Sequence, residues 1–139
     1  MLMGELLTLA AYNLPVTVVV FNNSTLGMVK LEMLVDGLPD FGVDVPQANY
    51  AQIATAMGMQ GIRVEKPKDL ESAFTTALAH QGPSVVEVIT DPNALSIPPE
   101  IKKDQVFGFA TAMSRIVLNR GAGEAVSMAR SNLRNIPRG

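Results

Sequence analysis

Cysteine and tryptophan are absent from this chain, histidine occurs once (His80), and aromatic residues make up only 5% of the 139 positions. Without thiols there is no disulfide framework, no thiolate zinc site and no cysteine nucleophile, which fits a reducing, cytoplasmic compartment. Charge is scarce too, at 17% of residues and a formal net of −2. That leaves no basic footprint for nucleic acid. No apolar run approaches a membrane span. Residues 1–12 are apolar but carry Glu5 and no basic leader, so they do not read as a secretory signal.

What is present is a 47% hydrophobic composition, enough for one globular core. The organising stretch is residues 15–32, PVTVVVFNNSTLGMVKLE. Val16, Val18, Val19, Val20 and Phe21 are apolar on both faces, which predicts a buried strand of a parallel sheet ending at Asn22 and Asn23. In open α/β sheets ligands gather outside the carboxyl ends of strands. A carboxamide oxygen there is a hard, neutral ligand suited to Mg²⁺, with a carboxylate and a phosphate-bearing ligand expected nearby. The alternative is that Asn-Asn-Ser simply ends a strand.

The rest of the chain alternates. Residues 1–12, apolar almost all round, predict a helix covered on most sides and a chain that begins inside a larger fold. Residues 26–35 predict a helix with Met28, Leu31, Leu34 and Val35 on one side, followed by a mobile loop over 36–46. Asn49 caps a further helix that Gly58 stops. Ile62 and Val64 mark a strand, Leu70 to Leu78 a helix, and Val85 to Ile89 another strand, which together predict βαβ units.

Glu87, inside that last strand, is either buried and paired or turned to an exposed edge. His80 reads as a solvated helix end and the scattered methionines as core filler. After a proline-containing connector over 93–103, Val106, Phe109, Ala110, Met113, Ile116 and Val117 give a helix face that must dock on the rest of the enzyme or on another subunit. The tail sets Arg115, Arg120, Arg130, Arg134 and Arg138 against Glu124, with a thin stripe of Val126, Ala129 and Leu133. It predicts a solvated or subunit-packed tail, with an anionic membrane surface as the alternative.

The ending VVVFNNSTLGMV, the preceding MLMGELLTLAAYNLP and the segments NYAQIATAMGMQGIRVEKPKDLESAF, GPSVVEVIT and LSIPPEIK carry a resemblance over nearly the whole chain. They resemble the carboxyl-terminal part of thiamine-diphosphate-dependent enzymes, most closely the bacterial pyruvate oxidases and pyruvate:quinone oxidoreductases. The family's cofactor motif opens with Gly-Asp-Gly, which is missing here and is expected just before Met1. The resemblance implies an α/β fold, a parallel sheet flanked by helices. It would form an incomplete thiamine-diphosphate-binding (PP-type) domain over residues 1–100, with a C-terminal helix and basic tail over 101–139.

The resemblance further implies thiamine diphosphate and Mg²⁺ as cofactors, FAD in the full-length enzyme, and a 2-oxo acid, pyruvate, as substrate. Electrons would pass to FAD and then to quinone or oxygen. It implies a homo-oligomer completed by the missing N-terminal domains, with peripheral membrane contact through the tail as a further expectation. By the same resemblance Asn23 (side-chain oxygen) and Thr25 (carbonyl) bind Mg²⁺. Leu26, Gly27 and Met28 contact the cofactor, and Glu32 is catalytic, orienting substrate or relaying a proton.

For Glu32 the alternative is a solvated glutamate, pairing with Lys30 or with nothing. Met28 departs from the phenylalanine common in pyruvate oxidases and matches acetolactate synthases. The run Lys30, Leu31, Glu32 departs in turn from the Gln-Trp-Glu-like stretch of the latter, so the oxidase is favoured. A carboligase of acetolactate synthase type and a non-catalytic α/β interaction module are the alternatives. Alone, without Gly-Asp-Gly and the glutamate that activates the aminopyrimidine, the chain is expected to be inactive.

Overall fold

The computed structural model describes residues 3–94 and 103–133. In chain order its elements are α1 (Leu6–Ala11), β1 (Thr17–Asn22), α2 (Gly27–Val35), α3 (Tyr50–Ala56), β2 (Gln60–Val64), α4 (Leu70–Ala79), β3 (Ser84–Ile89), α5 (Lys103–Arg120) and α6 (Ala122–Leu133). They fall into two compact units, one of Met1–Asn22 with Gln47–Thr90, the other of Asn23–Pro46 with Asp91–Gly139. The expectations for Ile97, Pro98 and Pro99 and for Arg134 and Arg138 lie outside the described residues.

The first unit holds a parallel sheet of order β1-β3-β2, flanked by helices. Its centre is β3, whose first four residues, Ser84 to Glu87, are buried. Alternation sends Val85 to one face, against Ala54, Met59, Leu6, Leu9 and Ala10, and Val86 to the other, against Ala73 and Ala77 of α4. Asn49 caps α3 as predicted, its Oδ1 accepting from the Gln52 amide at 2.8 Å. Gly58, at φ 83, follows the end of that helix in the left-handed region where a Cβ is costly.

Two expectations are corrected in this unit. β1 is not buried on both faces, because it lies at the end of the strand order. Val18 and Val20 pack on the α1 and α3 side, whereas α4 rests on β2 and β3, leaving Val19 and Phe21 (72% exposed) uncovered. The first helix is likewise not covered on most sides. A 3-10 turn, Met3–Glu5, leads into α1, where Leu6, Leu9 and Ala10 pack inward while Leu7 is exposed.

The second unit is built on α2, α5 and α6. Leu34, Ala112, Ile116 and Met128 form its buried centre, with Leu31, Phe109 and Met113 against them. The face of α5 expected to dock on the rest of the enzyme or another subunit instead packs in part within this unit, through Phe109, Met113 and Ile116, while Val106, Ala110 and Val117 stay exposed. Gly108 permits the approach: a Cβ there would collide with the Val35 carbonyl of α2. On α2 the predicted stripe is also revised, since Met28 is exposed and Lys30 is buried beside Leu34.

Residues 36–46 are tied down rather than loose. Gly37 O accepts from Arg115 Nη1 at 2.9 Å, and Val43 is 2% exposed. The methionine expectation holds for Met59 and Met128, which are buried, and fails for Met3 and Met28. His80 is exposed at the end of α4, as predicted. No helix among the described residues is long and apolar enough to cross a membrane.

Candidate functional site

The two asparagines at the end of β1 part company. Asn22 is 8% exposed, and its Nδ2 donates to Glu87 Oε1 at 2.7 Å and to the Ala48 carbonyl at 3.1 Å. The expectation that Asn22 faces a ligand is corrected accordingly: its amide is a structural donor. Asn23, half-buried, opens the second unit, and its Oδ1 accepts the Thr25 amide at 3.2 Å, closing a tight Asx turn. Ser24, at the middle of that turn, sits at φ 53.

Thr25 is buried. Its hydroxyl donates to the Val43 carbonyl at 3.1 Å, and it pairs with Asp44 in an antiparallel bridge flanked by Leu26 N to Val43 O (2.8 Å) and Val45 N to Ser24 O (3.0 Å). The turn is thus braced by the loop that follows α2. Leu26 is half exposed and its carbonyl accepts the Lys30 amide at 2.9 Å. Gly27 starts α2, and a Cβ there would lie 3.0 Å from Asn23 Nδ2, so the glycine leaves the carboxamide its room. The amides of the first turn of α2 have no acceptor within the helix, and they form its positive end.

Met28 is 63% exposed, so it is available to a ligand and not engaged in the core. Glu32 is exposed and makes no ion pair among the described residues. Lys30, its alternative partner, is instead 5% exposed and lies 3.6 Å from Asp40 Oδ2 and 3.4 Å from Asn93 Oδ1. Arg120 holds the same Asp40 at Oδ1 (3.0 Å) and at its carbonyl (2.9 Å). Neither that cluster nor Glu87 is among the site residues picked from the sequence.

Glu87 is fully buried. Oε1 accepts from Asn22 and, at 2.9 Å, from Arg63 Nη1, while Oε2 accepts the Ala51 amide at 3.1 Å. Burial pushes its carboxyl pKa up, but hydrogen bonds from Asn22 and from the Ala51 and Tyr50 amides, with the Arg63 charge, outweigh it and the pKa is lowered. The signal was present in the sequence as one charge in an otherwise apolar strand. Register adds the rest, since Arg63 pairs directly with Glu87 across β2 and β3.

No group of three His, Cys, Asp or Glu residues that could hold a metal exists among the described residues. The ligands that the turn itself offers a divalent ion are neutral oxygens, the Asn23 carboxamide and the Thr25 carbonyl. Asn23 Oδ1 uses one lone pair on Thr25 and keeps a second, which fits Mg²⁺ when phosphate oxygens supply most of the remaining ligands. The turn, the glycine beside its carboxamide and the positive end of α2 suit that task.

Comparison with known proteins gives the family. Residues 1–88 match the family model of the thiamine pyrophosphate enzyme C-terminal TPP-binding domain. The chain is 35% identical over 131 residues, 94% of its length, to YdaP of Bacillus subtilis (strain 168), provisionally described as a thiamine pyrophosphate-containing protein. It is 36% identical over 100 residues, 70% of its length, to the mitochondrial acetolactate synthase catalytic subunit of Aspergillus candidus. It spans 23% of the first relative and 14% of the second. Among solved structures it resembles the thiamine diphosphate-dependent 4-hydroxybenzoylformate decarboxylase of Rhodococcus jostii RHA1, with a TM-score of 0.60 and 30% identity over 64% of this chain and 17% of that one. The chain belongs to the C-terminal thiamine pyrophosphate-binding domain family of the thiamine pyrophosphate enzymes.

Proposed function

We propose that the turn from Asn23 to Met28 holds Mg²⁺ and the diphosphate end of thiamine diphosphate in an enzyme that decarboxylates a 2-oxo acid. Asn23 gives its side-chain oxygen and Thr25 its main-chain carbonyl to the ion. Leu26 and Gly27 border the diphosphate, and Met28 meets the thiamine or the substrate. The observation that carries this reading is the Asx turn at Asn23, whose oxygen retains a lone pair in a domain of this family. The cofactor supplies the carbanion chemistry, and the protein supplies position and electrostatics.

In the whole enzyme the favoured substrate is pyruvate, with electrons leaving to FAD and then to quinone or oxygen, in a homo-oligomeric, cytoplasmic protein. Glu32, exposed on α2, is the residue assigned to orient substrate or relay a proton. Carboligation of acetolactate synthase type is the second reading. The methionine at position 28 and the Aspergillus relative favour it. The parent enzyme supplied with pyruvate decides between them, by ferricyanide reduction or by acetolactate formed.

Calorimetric titration of the chain with Mg²⁺ and thiamine diphosphate tests the shared part. Asn23→Ala is expected to abolish measurable binding. Binding that ignores the substitution would remove the ligand assignment.

A further inference from the structure

Asn22 is fastened through both its side chain and its main chain. Its Nδ2 donates to Glu87 Oε1 and to the Ala48 carbonyl, and its own carbonyl accepts the Thr90 amide at 3.0 Å. Both hydrogens of the carboxamide are thereby used, which fixes the side chain's rotation. Glu87 in turn holds the Ala51 amide in the first turn of α3. The last residue of β1 is thus locked to the central strand and to the start of a helix, and the next residue in the chain is Asn23.

We propose that Asn22 and Glu87 act as a pair of positioning residues for the Mg²⁺ and diphosphate site. They hold the last peptide of β1 in one orientation, immediately before the residue that presents its carboxamide. The inference rests on the function proposed above. Packing alone gives little reason for a carboxylate with no solvent exposure, because apolar residues of similar volume commonly stabilise as well. Holding a strand end in one orientation does give a reason. Mg²⁺ demands near-ideal octahedral geometry, so a ligand displaced by a fraction of an ångström binds poorly. Loss of an outer partner that orients a metal ligand typically costs about 10–100-fold in affinity.

The test uses the 139-residue chain with Glu87→Gln, Asn22→Ser, the double variant, and Asn23→Ala as control for the functional reading. Two quantities are read: Mg²⁺-dependent affinity for thiamine diphosphate by calorimetry, and the amide resonances of Thr25 and of the Asn23 side chain without ligand. Each single variant is expected to weaken affinity by about 10–100-fold. The double variant should lose no more than the worse single one, because the two residues act as one device. The Thr25 and Asn23 resonances should shift in the unloaded chain.

A purely structural pair would lower the unfolding midpoint but leave the folded variants with wild-type affinity and unmoved resonances, and that result overturns the proposal. If Glu87→Gln does not fold, Asn22→Ser decides alone. If the wild-type chain itself fails to bind, the functional reading fails on this chain, and the resonances still settle whether Asn22 and Glu87 govern the turn.

Discussion

Glu87 and Asp40 are both carboxylates withdrawn from water, one in each unit, and they are satisfied by opposite means. Around Glu87 the donors are mostly neutral and belong to rigid backbone or a short side chain, with Arg63 as the single charge. Around Asp40 the donors are Lys30 and Arg120, two long cations. The first arrangement sits on the central strand and costs little side-chain entropy to hold. The second joins a loop residue to one 80 positions later in the sequence, and its Arg120 end is 43% exposed. Neutral donors on fixed backbone make a precise anchor. Charged side chains make a tether between distant segments, and water and salt can loosen it.

Removing each carboxylate sharpens that contrast. Glu87→Ala would leave the Asn22 amide, the Ala51 amide and Arg63 without their acceptor. The expected loss is about 4 kcal/mol of unfolding free energy, within the range for breaking a buried pair from one side. Asp40→Ala strands the buried Lys30 but leaves Arg120 access to solvent, so a smaller loss of about 3 kcal/mol is expected. Urea titration gives the totals. Hydrogen exchange assigns them, with lost protection in β3 and α3 for the first and at Leu26 and Val45 for the second. Equal losses in the same amides would break the comparison.

The difference also explains what the sequence could disclose. Alternating apolar strands and capped helices, with Asn49 and Gly58 at the ends of α3, made the parallel sheet and its flanking helices legible, because period and capping are local signals. The turn at Asn23 was legible through resemblance and through the abrupt halt of a valine run. The order of the strands is not legible in the sequence, because tertiary packing sets it: the valine run of β1 reads as buried, yet β3 is the central strand. Lys30 meeting Asp40, and Asp40 meeting Arg120, were hidden for the same reason: each joins segments whose proximity only tertiary packing sets. The loop over 36–46 looked mobile by its glycines, prolines and charges, yet one of those charges, Asp40, helps to pin it.

Arg120→Gln probes the weaker end of the tether. With the guanidinium partly in water, about 1 kcal/mol or less is expected, shrinking further in concentrated salt. α5 keeps its packing through Ala112 and Ile116, so the helix itself should persist by circular dichroism. A large, salt-independent loss would mean that Asp40 is held as rigidly as Glu87. Arg120 of the tail is paired with Asp40 and Glu124, which offsets its charge, and Arg115 is turned to the Gly37 carbonyl, which leaves less for an anionic surface. Titration with vesicles of acidic lipid is expected to show little binding for the same reason.

The smallest effect expected is a slope with pH. The folded-state pKa of Glu87 is lowered, so the native state binds its proton less readily than the unfolded chain does. The stabilisation this provides is present in full above the ordinary glutamate value of about 4.3 and is lost as pH falls through the lower folded value. Urea midpoints between about pH 6 and pH 3 should therefore drop more steeply in the wild type than in Glu87→Gln, which has no proton to gain at that position. The Asn22 and Ala51 hydrogen bonds favour the charged carboxylate, and protonation puts a hydrogen where one of those donors points. Acid should accordingly loosen β3, the end of β1 and the start of α3 together. Identical slopes in the two proteins would show that Glu87 is held with no preference for its charged form, and the contrast with Asp40 would then rest on geometry alone.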